Sequence, residues 1–331
     1  MSEKIEREQK RSFLTTIKTI TEQKWFFQVL PIVLLILISI LLSVLTNGKI
    51  TSSRNLKIIF EQALIVATVS TGASFIYASG NVNLAMGATT TLIATLVTFF
   101  LNSNDSLIIA IILAVVLGIV IMTISALLST LLNVRVMFVT IVMMTLFRAI
   151  QDSLLKGGSL GVPYEAVLKL SNGNFSKIAF AIYFIVCIIL FHFTAIGRSL
   201  KTIGTNNENA FQTGIEKAKY LLIAFIIAGV GAGLGAVMIL ERAGSVSVNT
   251  LSGLNTDVML AIVLGGMSIF GGSRSFAFTG FIGSLTVCML NQGLLMLGVD
   301  SSVVQAIRGI IFLILIMTST QRPKGLPAPE G

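Results

Sequence analysis

Residues 107–131 read LIIAIILAVVLGIVIMTISALLSTL, twenty-five residues without a single charge. At about 1.5 Å of rise per residue such a run makes a helix of roughly 37 Å, longer than the roughly 30 Å hydrocarbon core of a bilayer. A buried helix of a soluble domain has no use for that length. Comparable apolar runs lie on either side, at 26–46, 57–78, 84–101, 134–154, 176–196, 219–240, 257–271, 275–297 and 301–319. The reading is therefore an all-α, polytopic helical membrane protein of about ten transmembrane helices. The segments 84–101 and 257–271 are short and adjoin glycine-rich breaks at Gly80, Gly265, Gly266, Gly271 and Gly272. They are expected to be broken or re-entrant, because bare backbone at membrane depth survives only where protein or a cavity covers it.

Composition agrees. Of 331 residues 54% are hydrophobic and only 11% charged, against about a quarter charged in soluble domains. The net charge of +9 does not indicate a nucleic-acid partner, since the chain is poor in charge altogether. Cys187 and Cys288 lie inside apolar runs and read as small buried groups. A single histidine, His192, leaves no material for a metal site or a histidine-based catalytic triad. The chain divides into a charged lead at 1–24, a membrane domain at 25–320 and a tail at 321–331. With the N-terminus inside and ten alternating spans, fourteen Lys and Arg fall on the inner side and eight on the outer. That bias puts both termini in the cytoplasm.

Polar residues within spans are costly and mark a candidate pathway. They include Glu61, Gln62, Asn83, Arg148, Gln151, Asn291, Gln292, Gln305 and Arg308. Gln62, Asn83, Asn291 and Gln305 are taken as path residues, and Glu61 is a conceivable partner of Arg308. No chain of buried acids and histidine suggests proton coupling, so the path suits a neutral polar solute. Residues 266–273, GMSIFGGS, echo a phosphate-binding loop but carry Gly272 where the loop needs lysine. ATP is not bound by that route. The glycines at 229, 231, 233 and 235 suit close helix packing, with a gating segment as the minority alternative. The inner loop 197–218 is polar and basic. Asn206 or Asn207 is placed to cap a short helix ending near Gly214, which would present Phe211 and Ile215 on one face to a partner.

Residues 197–215, GRSLKTIGTNNENAFQTGI, resemble a signature of the ribose-type permeases of bacterial ABC importers. Residues 80–87 (GNVNLAMG), 264–272 (LGGMSIFGG), Gly280, Gly283 and 305–309 (QAIRG) continue the resemblance in order and spacing. Two positions depart from the pattern: Asn83 replaces an acidic residue and Ala85 a serine. The resemblance implies a multi-pass subunit of the bacterial cytoplasmic membrane that translocates a monosaccharide. It implies no cofactor in this chain, with ATP and Mg on partner ATPase subunits. It also implies a second permease subunit, giving a homodimer, and an extracytoplasmic binding protein. Residues Arg198, Gly204, Asn206, Glu208, Phe211 and Gly214 would couple to the ATPase. Glu241, Arg242 and the 155–175 loop would meet the binding protein. A nucleoside permease of the same architecture and a stand-alone secondary transporter are the alternatives.

Overall fold

The computed structural model describes residues 24–319 except 105, 248–249, 251–252, 269–270, 273–274 and 277. The lead up to residue 23, the tail at 321–331, Asp105 and Arg274 lie outside the described residues. The helices are α1 (Lys24–Leu45), α2 (Ser53–Ala78), α3 (Met86–Ser103), α4 (Leu107–Leu131), α5 (Val136–Leu155), α6 (Tyr164–Asn172), α7 (Phe175–Phe193), α8 (Ala195–Thr205), α9 (Asn207–Gln212), α10 (Lys217–Ala243), α11 (Leu254–Leu264), α12 (Thr279–Met296) and α13 (Ser301–Ser319). Among the described residues, seven helices are long and apolar enough to cross a membrane: α2, α3, α4, α5, α7, α10 and α12. Three shorter apolar helices accompany them, Val29–Leu45, Leu254–Leu264 and Ser301–Ile314.

Helices α2 and α10 form the centre of the bundle. Glycine sets how closely they approach. A Cβ on Gly72 of α2 would lie 2.9 Å from the Ala228 Cα of α10, and one on Gly231 would lie 3.0 Å from the Thr68 carbonyl oxygen. The Tyr183 hydroxyl of α7 donates to the Ile227 carbonyl at 2.8 Å and closes the junction. On another face α10 meets α4, where a Cβ on Gly118 would lie 2.2 Å from the Gly229 carbonyl oxygen. The glycines at 229, 231, 233 and 235 thus pack against α4, α2 and α7, and α10 runs unbroken through them. Packing accounts for them; the gating alternative gains nothing. In lipid the drive to associate comes from such backbone contact rather than from transfer out of water. Gly229→Val should cost about 3 kcal/mol through overpacking, read as a lower thermal unfolding midpoint in detergent. An unchanged midpoint would contradict the α4–α10 contact.

Helices α4, α5 and α7 expose much of their apolar surface, including Ile108, Val142 and Ile182, as peripheral helices facing acyl chains would. Helix α11 is short and ends at Gly265. Beyond it Gly266, Gly271 and Gly272 adopt positive φ before α12 begins at Thr279. Of the two segments expected to be broken or re-entrant, 257–271 carries a short helix that stops at Gly265, whereas 84–101 forms the continuous helix α3. The structure adds one element to the all-α reading. Strand β1 (Ser159–Gly161) pairs antiparallel with β2 (Ser245–Ser247), Leu160 opposite Val246. The Asn102 amide donates to the Gly161 carbonyl at 3.0 Å, tying the end of α3 to this ribbon.

Candidate functional site

The 197–218 loop folds into two short helices. The turn between α7 and α8 is so tight that a Cβ on Gly197 would overlap the Phe191 carbonyl. Asn206 caps α9: its Oδ1 accepts from the Glu208 and Asn209 amides at 2.9 and 3.2 Å. That satisfies two of the free donors at a helix start. Gly214 closes the loop at φ +75°. Phe211 is 82% exposed, and Arg198 and Glu208 are also exposed. Ala210 is buried beneath them. The Phe211 ring is thus a surface group of α9 and no part of the core.

Gly204 is different in kind. A Cβ there would lie 2.1 Å from the Ala78 carbonyl oxygen and 2.7 Å from the Gly272 amide nitrogen. The Gly272 amide itself donates to the Ala78 carbonyl at 3.1 Å, and Gly271 sits where a Cβ would strike the Gly80 amide. Three separated stretches of sequence, 80–87, 197–215 and 264–272, therefore converge on the C-terminal end of α2. Beside this node, the Lys201 ammonium lies 4.6 Å from the centre of the Phe191 ring and 5.7 Å from that of Phe276. Burial against them pushes its pKa below the ordinary lysine value.

The four expected path residues do not come together at one point. Gln62 accepts from the Arg242 guanidinium across 3.5 Å, near the end of α10. Asn83 is buried in the turn before α3; its Oδ1 accepts from the Ala85 amide at 2.8 Å, and its amide faces the sulfurs of Met86 and Met122 at 3.5 Å. Asn291 donates to Asp257 Oδ1 at 3.3 Å. Gln305 is exposed on α13, three residues before Arg308. Of the two residues expected at the outer docking surface, Arg242 thus contacts Gln62, and Glu241 accepts from the backbone and hydroxyl of Ser176 at the start of α7.

The partner of Arg308 is not Glu61. Arg308 Nη1 lies 2.9 Å from Asp257 Oδ1, with side chains only 12% and 5% exposed. Glu61 instead faces Lys57, one turn away on α2, at 3.9 Å. The sequence reading missed Asp257 because it stands at the first position of the apolar segment 257–271, where an acid looks like a helix end.

The family described as branched-chain amino acid transport system / permease component matches residues 55–317. The chain belongs to this family. Its relatives include the ribose import permease protein of Bacillus subtilis (strain 168), 28% identical over 88% of this chain and 92% of that protein. A probable ABC transporter permease protein of Escherichia coli (strain K12) is 31% identical over 87% and 90%. The L-arabinose ABC transporter permease protein of Azospirillum brasilense is 23% identical over 84% and 83%. No solved structure matches. The family expectation drawn from the motifs is borne out. The permease is a multi-pass membrane transport subunit of the bacterial ABC importer type, not a catalytic chain, and needs no cofactor of its own.

One further residue of the permease was not legible in the sequence. Asn255, at the start of α11, accepts through Oδ1 from the amides of Gly87 and Ala88, the latter at 3.2 Å. It caps α3 from a distant part of the chain. Gly87 allows this, since a Cβ there would collide with Asn255 itself. Asn255→Leu should cost about 1–3 kcal/mol by leaving two donors unpaired inside the bundle, whereas Asn255→Asp keeps the acceptor. Thermal unfolding of the two variants checks this; equal midpoints would contradict the cap.

Proposed function

We propose that the permease is the membrane subunit of a bacterial ABC importer that moves a monosaccharide of the ribose or arabinose kind across the cytoplasmic membrane. Two copies form one pathway, separate ATPase subunits dock on α9, and an extracytoplasmic binding protein delivers the solute to the side of α6, Glu241 and Arg242. Among the described residues, seven helices long enough to span and three shorter apolar ones support a polytopic permease. The named relatives support the solute class. So does the interior. Thr71, Tyr77 and Thr89 bury hydroxyls with no partner among the described residues, and an uncharged polyol offers donors and acceptors to match. The face of α13 bearing Ser302, Gln305, Ala306 and Gly309 is exposed; small and polar groups there suit a second copy of the chain better than acyl chains.

The observation that carries the energised reading is α9, with its Asn206 cap and its exposed Phe211. The test is gentle solubilisation of the permease from its native membrane, followed by mass spectrometry of what co-purifies. An ATPase with a complete phosphate-binding loop, in about equal amount, is the expected companion. A binding protein recovered beside it, screened against sugars and nucleosides, decides between those solutes. A permease that purifies alone and supports uptake in vesicles without ATP would replace this reading with that of a secondary transporter.

A further inference from the structure

Helix α8 carries α9 at its C-terminal end; it buries Leu200 and Ile203 in the bundle and makes two further contacts there. One is the Gly204 backbone contact with Ala78 and Gly272. The other is Lys201, whose ammonium lies against two rings from different parts of the chain. The Phe191 ring belongs to α7 and meets the Phe75 ring of α2 edge-on, with centres 5.0 Å apart. The Phe276 ring belongs to the segment that feeds α12. It stacks on Phe278 at 5.5 Å and on His192 at 6.1 Å. Ser275 beside it is fully buried, so Ser275 and Phe276 are seated in the protein.

We infer that Lys201 is a positioning residue for energy coupling: held between Phe191 and Phe276, it ties α8 to the segment that feeds α12, so that displacement of α9 is delivered to α12. This rests on the reading of α9 as the ATPase contact. Two features of the geometry support it. A cation over two ring faces is attracted to both at once, so the ammonium joins α7 and the approach to α12 through one movable group on α8. The contact also stands beside the Gly204 node, so α8 is joined to α2 and to both Gly272 and Phe276. A rigid-body shift of α8 then either moves Phe276 or breaks the clamp. The other charges of the loop, Arg198, Glu208 and Lys217, are exposed.

The test uses the whole complex, with ATPase and binding protein, reconstituted in lipid vesicles. Leu297, just beyond α12 and 41% exposed, is changed to cysteine as a reporter; Cys187 and Cys288 are both buried. Its rate of reaction with a membrane-impermeant maleimide is measured with and without ATP, alongside ATP hydrolysis. The expected result is an ATP-dependent change in that rate that falls about tenfold in Lys201→Ala, matching loss of a partly desolvated cation–ring contact, while ATP hydrolysis per complex is kept. Lys201→Arg should restore the change, since guanidinium also binds ring faces. Phe276→Leu, which keeps an apolar side chain and loses the ring, should behave as Lys201→Ala does. An undiminished change in Lys201→Ala would overturn the inference. So would parallel loss of ATP hydrolysis, or a parent whose Leu297→Cys rate does not respond to ATP. Phe211→Asp separates the underlying reading: if that variant keeps both the bound ATPase and the ATP-dependent change, the assignment of α9 is what fails.

Discussion

Arg308→Met is expected to cost the permease about 3–5 kcal/mol, because it leaves the Asp257 carboxylate buried without its cation. The pair joins the first turn of α11 to the middle of α13, and Asn291 from α12 donates to the same carboxylate oxygen. Three helices are thus held at one point. The single variant Asp257→Leu should be comparably damaging, since it strands the guanidinium. The double variant Asp257→Leu/Arg308→Met should recover most of the lost stability, as apolar groups of similar volume often replace a buried ion pair with little net cost. Thermal unfolding in detergent across this four-member cycle measures the coupling directly. A double variant as unstable as the sum of the singles would mean that the two side chains act independently, despite their 2.9 Å separation. Uptake then adds a second answer. If the double variant recovers stability but not transport, the pair belongs to the working path that Asn291 was taken to mark; if both recover, it is a structural clasp.

What the sequence made legible follows from how far apart the interacting residues lie. The apolar runs announce their helices because the signal is local, and the lengths of 107–131 and 219–240 are enough to separate a span from a buried helix. The Asn206 cap is equally local, its acceptor and donors lying within three residues. The broken region after α11 shows in the glycines at 265, 266, 271 and 272. Arg308 was visible as a charge inside a span, but its partner lies 51 residues away. The choice between Glu61 and Asp257 turns on which helices adjoin, which no periodicity encodes. Asn255 is further removed still, 168 residues from Gly87. The β1–β2 ribbon has only three residues in each strand, too few to leave an alternation. Glycine abundance was plain, yet the reason for each was not. Gly233 has a near neighbour in α4, whereas Gly309 has nothing within 4 Å among the described residues.

That contrast fixes the second large effect. Gly204→Ala should reduce uptake at least about tenfold, because the new methyl carbon would lie 2.1 Å from one backbone atom and 2.7 Å from another, and densely packed backbone has no rotamer with which to yield. Either α8 moves away from α2, or the hydrogen bond from the Gly272 amide to the Ala78 carbonyl breaks. Both separate α9 from the segment leading to α12. Gly214→Ala is the informative comparison. Its glycine adopts φ +75° with open space around it, so alanine there costs only about 1 kcal/mol of backbone strain and meets no atom. Both glycines belong to the same family-like stretch, 197–215, and a motif alone would rank them equally; their surroundings do not. Uptake by reconstituted complexes, normalised to inserted protein and to bound ATPase, should therefore fall steeply for Gly204→Ala and modestly for Gly214→Ala. Equal losses would indicate that the loop's own conformation governs coupling, and that the junction at Ala78 is incidental to it.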